Sequence, residues 1–140
     1  MLIDEIKKAN IQAMRDRDTA KRSAFSVLIT KYNNLAIEKK AKGQEATDVD
    51  MISVIQKTLK ELEEERAGYK QVGNQAKVLD VALQIKTLAR YLPKQLSEDE
   101  IRAEINKLED KSIPSVMKHF KANFAGRVDM SLVNKIARDN

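Results

Sequence analysis

The run Tyr91-Leu92-Pro93-Lys94-Gln95-Leu96-Ser97-Glu98-Asp99-Glu100-Ile101 ends one helix and starts another within eleven residues. Pro93 has no amide hydrogen and pushes Leu92 out of the α region. The apolar stripe that opens near Val78 must therefore stop at about Leu92. Ser97 has Glu100 three residues on, the pattern of a capping box, and Leu96 and Ile101 occupy the two positions of a hydrophobic staple. Glu98, Asp99 and Glu100 place negative charge at the positive end of the new helix. A boundary this strongly specified divides the chain into a part before it, residues 1–92, and a part after it, residues 94–140.

Both parts read as helical. The first predicted helix runs Leu2 to Arg15, with Leu2, Ile6, Ala9 and Ala13 inward, and Asp18 caps a second that reaches about Lys40. The inner face of the second is Phe25, Leu28, Ile29, Tyr32, Leu35 and Ala36, and Gly43 takes the left-handed position after it. Thr47 caps a third helix, with Ile52, Ile55, Leu59 and Leu62 inward and an end near Ala67-Gly68. The fourth, about Asn74 to Leu92, has a stripe widened by Leu79 and Leu83, which predicts contacts on more than one side and a central place. Glu98 to Glu109, Pro114 to Phe124, and a last helix capped by Asp129 with a Val128–Val133 staple complete an all-α protein. The expectation is thus a four-helix N-terminal part followed by a small three-helix C-terminal part. An apolar share of 42% suffices for such cores.

Several classes of chemistry have no foothold. The absence of cysteine excludes disulfides, thiolate metal sites and cysteine nucleophiles. There is no GxxxxGK[ST], GxGxxG or HExxH pattern. His119, the single histidine, has no acid or nucleophile near it in sequence and reads as a surface or boundary residue, with RNA contact as the alternative. Glu61 and Glu65 share a helix face, but Lys57 and Lys60 precede Glu61 and Glu64 by four residues, which favours a solvated, paired surface. No metal or cofactor is expected. Met1–Lys8 lacks the apolar run of a signal peptide, and no segment has the ~18 apolar residues of a membrane span, so a cytoplasmic protein without membrane contact is expected.

The charge is unevenly spread. Residues 1–42 carry ten Lys/Arg against five Asp/Glu, and residues 111–140 carry six against two, while residues 93–110 carry three against six. Arg15, Arg17, Lys21 and Arg22 put four cations in eight residues, which suits a phosphate backbone, although Asp16 and Asp18 dilute the field and a solvated turn is the alternative. Lys118, Lys121, Arg127 and Lys135, with Lys111 and Arg138, form the second set. The start of the last helix beside Gly126-Arg127 would offer backbone amides to an anion, in competition with Asp129 as cap. A basic helix pair with a well-capped turn is the alternative.

Tyr91–Ile101 resembles the Y-L-P-x-Q-L-S-x-E-E-[IL] motif of the GatB/YqeY family, Ser115-Val116-Met117 its K-V-M run, and Gly126-Arg127-Val128-Asp129 with Val133 its G-R-A-D-G…V segment. Order and spacing fit over nearly the whole chain. Lys118 and Met130 stand where those patterns have Gly, and Val81-Ala82-Leu83-Gln84 replaces a glutamate-rich stretch. The family comprises small YqeY proteins and the C-terminal part of the B subunit of the tRNA-dependent amidotransferase. The resemblance implies two all-helical parts and a relation to a carbon–nitrogen ligase whose related part contacts the tRNA body. It strengthens tRNA as the expected partner of the C-terminal basic set. With no nucleotide site or nucleophile in view, the chain reads as a non-catalytic tRNA-binding module. The alternative is a module that docks on a larger translation-related enzyme, such as an amidotransferase or an aminoacyl-tRNA synthetase.

Overall fold

The computed structural model describes residues 1–139, which contain seven α-helices and no strand, so the chain is all-α. It falls into two compact units, Met1–Tyr91 and Leu92–Asn140.

The first unit holds α1 (Leu2–Arg15), α2 (Thr19–Ala41), α3 (Asp48–Gln71) and α4 (Gln75–Ala89). Their joints are set by local chemistry. Asp18 Oδ1 accepts from the Lys21 amide at 3.2 Å and starts α2. Thr47 N donates to Asp50 Oδ2 at 2.8 Å in a capping box that starts α3. At the other ends, Gln44 N bonds to Lys39 O and Asn74 N to Tyr69 O, with Gly43 and Gly73 left-handed between them. These are Schellman closures, in which a left-handed residue lets the chain satisfy the last carbonyls. The same closure ends α1, where Asp18 N bonds to Ala13 O, but the left-handed residue there is Arg17, at φ 55°.

Ile3, Ile6, Phe25, Leu28, Tyr32, Met51, Ile55, Val81 and Leu88 fill the core of this unit. Three expectations need correction. Helix α3 does not end at Ala67-Gly68 but runs on to Gln71. A mid-helix glycine costs only about 1 kcal/mol, and the true stop is the Gly73 closure. Helix α4 ends at Ala89 rather than Leu92. The amide that would bond the Ala89 carbonyl belongs to Pro93, which has none, and Tyr91 N instead closes a tighter turn on Leu88 O at 3.0 Å. Leu79 and Leu83 are not part of a buried stripe; they are 65% and 51% exposed. Helices α2 and α3 each pack on the other three, and α4 packs on α2 and α3, so α4 has contacts on more than one side without being the single central element. The salt bridge from Lys39 Nζ to both Asp50 oxygens, at 2.7 and 2.8 Å, ties α2 to α3.

The second unit holds α5 (Glu98–Asn106), α6 (Ile113–Asn123) and α7 (Met130–Asp139). The capping box forms as its sequence requires: Glu100 N donates to Ser97 Oγ at 3.2 Å and Ser97 N to Glu100 Oε1 at 3.1 Å. Ile101, Ile105, Val116, Phe120, Val128, Val133, Ile136 and Ala137 make one buried cluster, with Leu96 packed against it. Both staples, Leu96–Ile101 and Val128–Val133, thus sit in or on the core. Helix α5 stops at Asn106, short of Glu109. Asp110 Oδ1 instead accepts from Ser112 N at 2.9 Å and turns the chain toward α6, where Pro114 lies in the first turn.

Candidate nucleic-acid interface

The two basic sets belong to different units. Arg15 ends α1, Arg17 is the left-handed turn residue, and Lys21 and Arg22 lie in the first turn of α2; all four are exposed. Lys21 Nζ lies 3.9 Å from Asp18 Oδ2, a long and solvated pair.

In the second unit Lys118 and Lys121 stand three residues apart on the exposed side of α6, and Lys135 is exposed on α7. Helices α6 and α7 pack on each other, and α7 also packs on α5. Among the described residues Lys118, Lys121, Lys135 and Arg138 form no ion pair, whereas Arg102 of α5 and Lys107 just after it do. Arg102 reaches Glu98 and Asp99, each at 3.5 Å, and Lys107 Nζ lies 2.9 Å from Glu104 Oε2. The Lys107 bond, assisted by His119, holds the Glu104 carboxyl below the usual carboxylate range.

Arg127 is placed differently from the lysines. It is half-buried; its Nε donates to Lys94 O at 3.2 Å, and its guanidinium carbon lies 5.6 Å from the centre of the Phe124 ring. Its carbonyl accepts from Leu96 N at 2.8 Å, and Gly126 O accepts from Gln95 Nε2 at 2.7 Å. Gly126, at φ 78°, makes the turn possible. Lys94, Gln95 and Leu96 on one side and Gly126 and Arg127 on the other are thus the two sides of one hydrogen-bonded joint. The turn is less open to an anion than its sequence suggests. Arg127 N bonds to Phe124 O at 2.9 Å, and Ser131 N is taken by Asp129 Oδ1 at 3.0 Å.

His119 is a boundary residue. Its Nε2 lies 3.7 Å from Glu104 Oε1, and its ring meets Phe120 and Phe124 edge-on. Glu61 pairs across helices with Lys31, at 2.6 Å, and Glu63 pairs with Arg66, so this acidic run is engaged as paired surface. No group of three or more metal-ligating side chains occurs among the described residues, and no helix there is long and apolar enough to cross a membrane.

Two features escaped the sequence. One is a cleft of about 160 Å³ in the first unit, lined in part by Gln12, Asp16, Lys21, Phe25, Arg90 and Tyr91. The i, i+4 spacing of Gln12 and Asp16 was the available signal; their side chains bond at 2.9 Å. The other is an open groove between α6 and α7, with Met117, Met130, Asn134 and Arg138 on its walls. Met117 lies one turn before Lys121 on the same face of α6.

The model of the YqeY-like protein family matches residues 3–140. None of the curated proteins matches the chain.

Proposed function

The chain belongs to the YqeY-like family, and from that premise we propose that it is a non-catalytic helical module that binds tRNA backbone through Lys118, Lys121, Arg127 and Lys135. Arg15, Arg17, Lys21 and Arg22 form a second contact surface. The observation that carries this reading is the asymmetry of pairing in the second unit. Arg102 of α5 and Lys107 just after it are paired with carboxylates of α5, whereas Lys118, Lys121 and Lys135 are exposed and form no ion pair among the described residues. Unpaired lysines on two packed helices suit sequence-independent phosphate contact. The resemblance to the tRNA-contacting part of the amidotransferase B subunit points the same way. Arg127 adds a guanidinium whose Nε is already fixed on Lys94 O, so it also has a structural task.

The test is binding to total tRNA across a series of salt concentrations, with the variant Lys118→Ala, Lys121→Ala, Lys135→Ala, which leaves Arg127 and its joint intact. The variant should keep its helix content, bind more weakly and show a shallower salt slope. Normal binding by the folded variant would remove these lysines from the interface.

The second reading is favoured by Leu79 and Leu83, which lie one turn apart on α4 and expose 65% and 51% of their surface. A helix face of this kind can dock on a larger enzyme, such as an amidotransferase or an aminoacyl-tRNA synthetase. Salt-insensitive capture of such an enzyme, lost in Leu79→Ser/Leu83→Ser and unaccompanied by tRNA binding, would make docking the better reading.

A further inference from the structure

The cleft where α1, α2 and the end of α4 meet has a layered chemistry. Its floor includes Ala9, Ala13 and the Phe25 ring, and the Tyr91 ring meets Phe25 edge-on, with centroids 5.8 Å apart and planes at 88°. Its rim carries the exposed cations Lys21, whose Nζ lies 3.9 Å from Asp18 Oδ2, and Arg90, together with the carboxylate of Asp16. That carboxylate is not turned toward either cation: Asp16 Oδ1 accepts one hydrogen of Gln12 Nε2 at 2.9 Å. The second Gln12 hydrogen and Asp16 Oδ2 then form a donor beside an acceptor on one wall.

We propose that this cleft binds a single unpaired nucleotide of an RNA strand, its base against the Tyr91 ring, its edge against Gln12 and Asp16, and its phosphate at Lys21 and Arg90. A closed cavity of about 150 Å³ accommodates one six-membered ring, and this cleft, about 160 Å³ and open to solvent, has room for the part of a base that meets Tyr91. Uracil presents O4 beside N3–H, guanine O6 beside N1–H, and cytosine N3 and adenine N1 each beside an amino group, so every base offers the acceptor–donor pair complementary to Gln12 and Asp16, as sequence-tolerant binding requires. Aromatic faces that take one base, with cations following the backbone, are the general means of holding single strands. Charge selects the polymer. Arg15, Arg17 and Arg22 are exposed in the same α1–α2 corner as Lys21, more cations than one monoanion requires and a suitable number for neighbouring phosphates. The inference rests on the reading of the chain as an RNA-binding protein, but on none of the residues of α6 or α7.

The experiment is a titration of the isotopically labelled full chain, followed through the backbone amides of Gln12, Lys21, Arg90 and Tyr91. The probes are UMP, CMP, AMP, inorganic phosphate and hexauridylate. Saturable shifts with UMP, CMP and AMP that exceed those with phosphate, and tighter binding of hexauridylate, are expected. Arg90→Ala should weaken binding of the uridine probes about tenfold, the loss of one charged hydrogen bond. Ala9→Leu fills the cleft from a half-exposed position and should abolish binding while the spectrum stays that of a folded protein. Equal responses to phosphate and UMP, undiminished UMP binding in Ala9→Leu, or no response to any uridine probe would overturn the proposal. Binding of UMP without tighter binding of hexauridylate would overturn the assignment to RNA in favour of a free nucleotide. Because no variant touches the C-terminal lysines, this cleft can fail while those lysines still bind tRNA, and the reverse.

Discussion

The Gln95 side chain donates to the carbonyl oxygen of Gly126, thirty-one residues away, at 2.7 Å. Beside it, Leu96 N donates to Arg127 O, and Arg127 Nε returns a bond to Lys94 O. Three bonds thus clamp the segment leading into α5 to the turn leading into α7. The Gln95 amide also holds Pro93 O at 2.9 Å, which fixes the approach. Gln95→Ala should cost about 1 kcal/mol, the net value of a typical hydrogen bond. Urea unfolding reads this as a lower midpoint at constant slope. An unchanged midpoint would mean that the two remaining bonds, from Leu96 N and from Arg127 Nε, suffice to hold the joint.

What was legible in the sequence was local. Asp18, Thr47 and Ser97 cap the helices they precede because capping needs only residues within one turn. The course of α1 from Leu2 to Arg15 follows from its own pattern. What failed depends on neighbours. Leu79 and Leu83 fit an apolar stripe, but a stripe does not say whether another element covers it. The Gln95–Gly126 joint could not be read because both ends are ordinary turn residues until the fold brings them together. The basic clusters were visible as charge, yet only the structure separates the clamped Arg127 from the unpaired Lys118 and Lys121. The cleft was invisible because its lining comes from α1, α2 and the α4 end.

Arg17 occupies the left-handed position of a Schellman closure at φ 55°, where the equivalent residues after α2 and α3 are Gly43 and Gly73. The left-handed conformation costs an L residue roughly 1–2 kcal/mol, and a glycine gives part of that back as unfolded-chain entropy, about 0.4–1 kcal/mol. Arg17→Gly should therefore stabilise the protein, by up to about 1 kcal/mol. The readout is a higher thermal midpoint. If Arg17 also contacts RNA, the same variant binds tRNA more weakly while being more stable, an opposition that a purely structural residue would not produce.

Asp50 accepts two bonds from Lys39 Nζ and one from Thr47 N, and these hold its carboxyl below the ordinary carboxylate value. A depressed folded-state pKa means that the unfolded chain takes up the proton first as pH falls. The contribution is therefore complete above the unfolded value of about 3.9 and is lost as pH drops through the lower folded value. Asp50→Asn should cost roughly 1–3 kcal/mol at neutral pH, and the gap between variant and parent should close toward the acid end. Chemical denaturation at a series of pH values measures both curves. A gap that stays constant into acid would show that the loss is steric and that the charge contributes nothing.

Lys121 and Lys107 provide a matched pair for the proposed interface. Both are exposed lysines of the second unit, but Lys107 Nζ sits 2.9 Å from Glu104, whereas Lys121 forms no ion pair among the described residues. A lysine that already has a carboxylate displaces few counterions from RNA. One that is unpaired releases them on meeting a phosphate, and each such contact adds about one unit or slightly less to the salt slope. Lys121→Ala should therefore flatten the slope for tRNA by about one unit and weaken binding equally for tRNAs of different sequence. Lys107→Ala should leave the slope where it was. Equal effects from the two substitutions would mean that general positive charge attracts the RNA, with no interface on α6. No effect from either would move the contact to the α1–α2 corner, where Arg15 and Arg22 are the next substitutions to make.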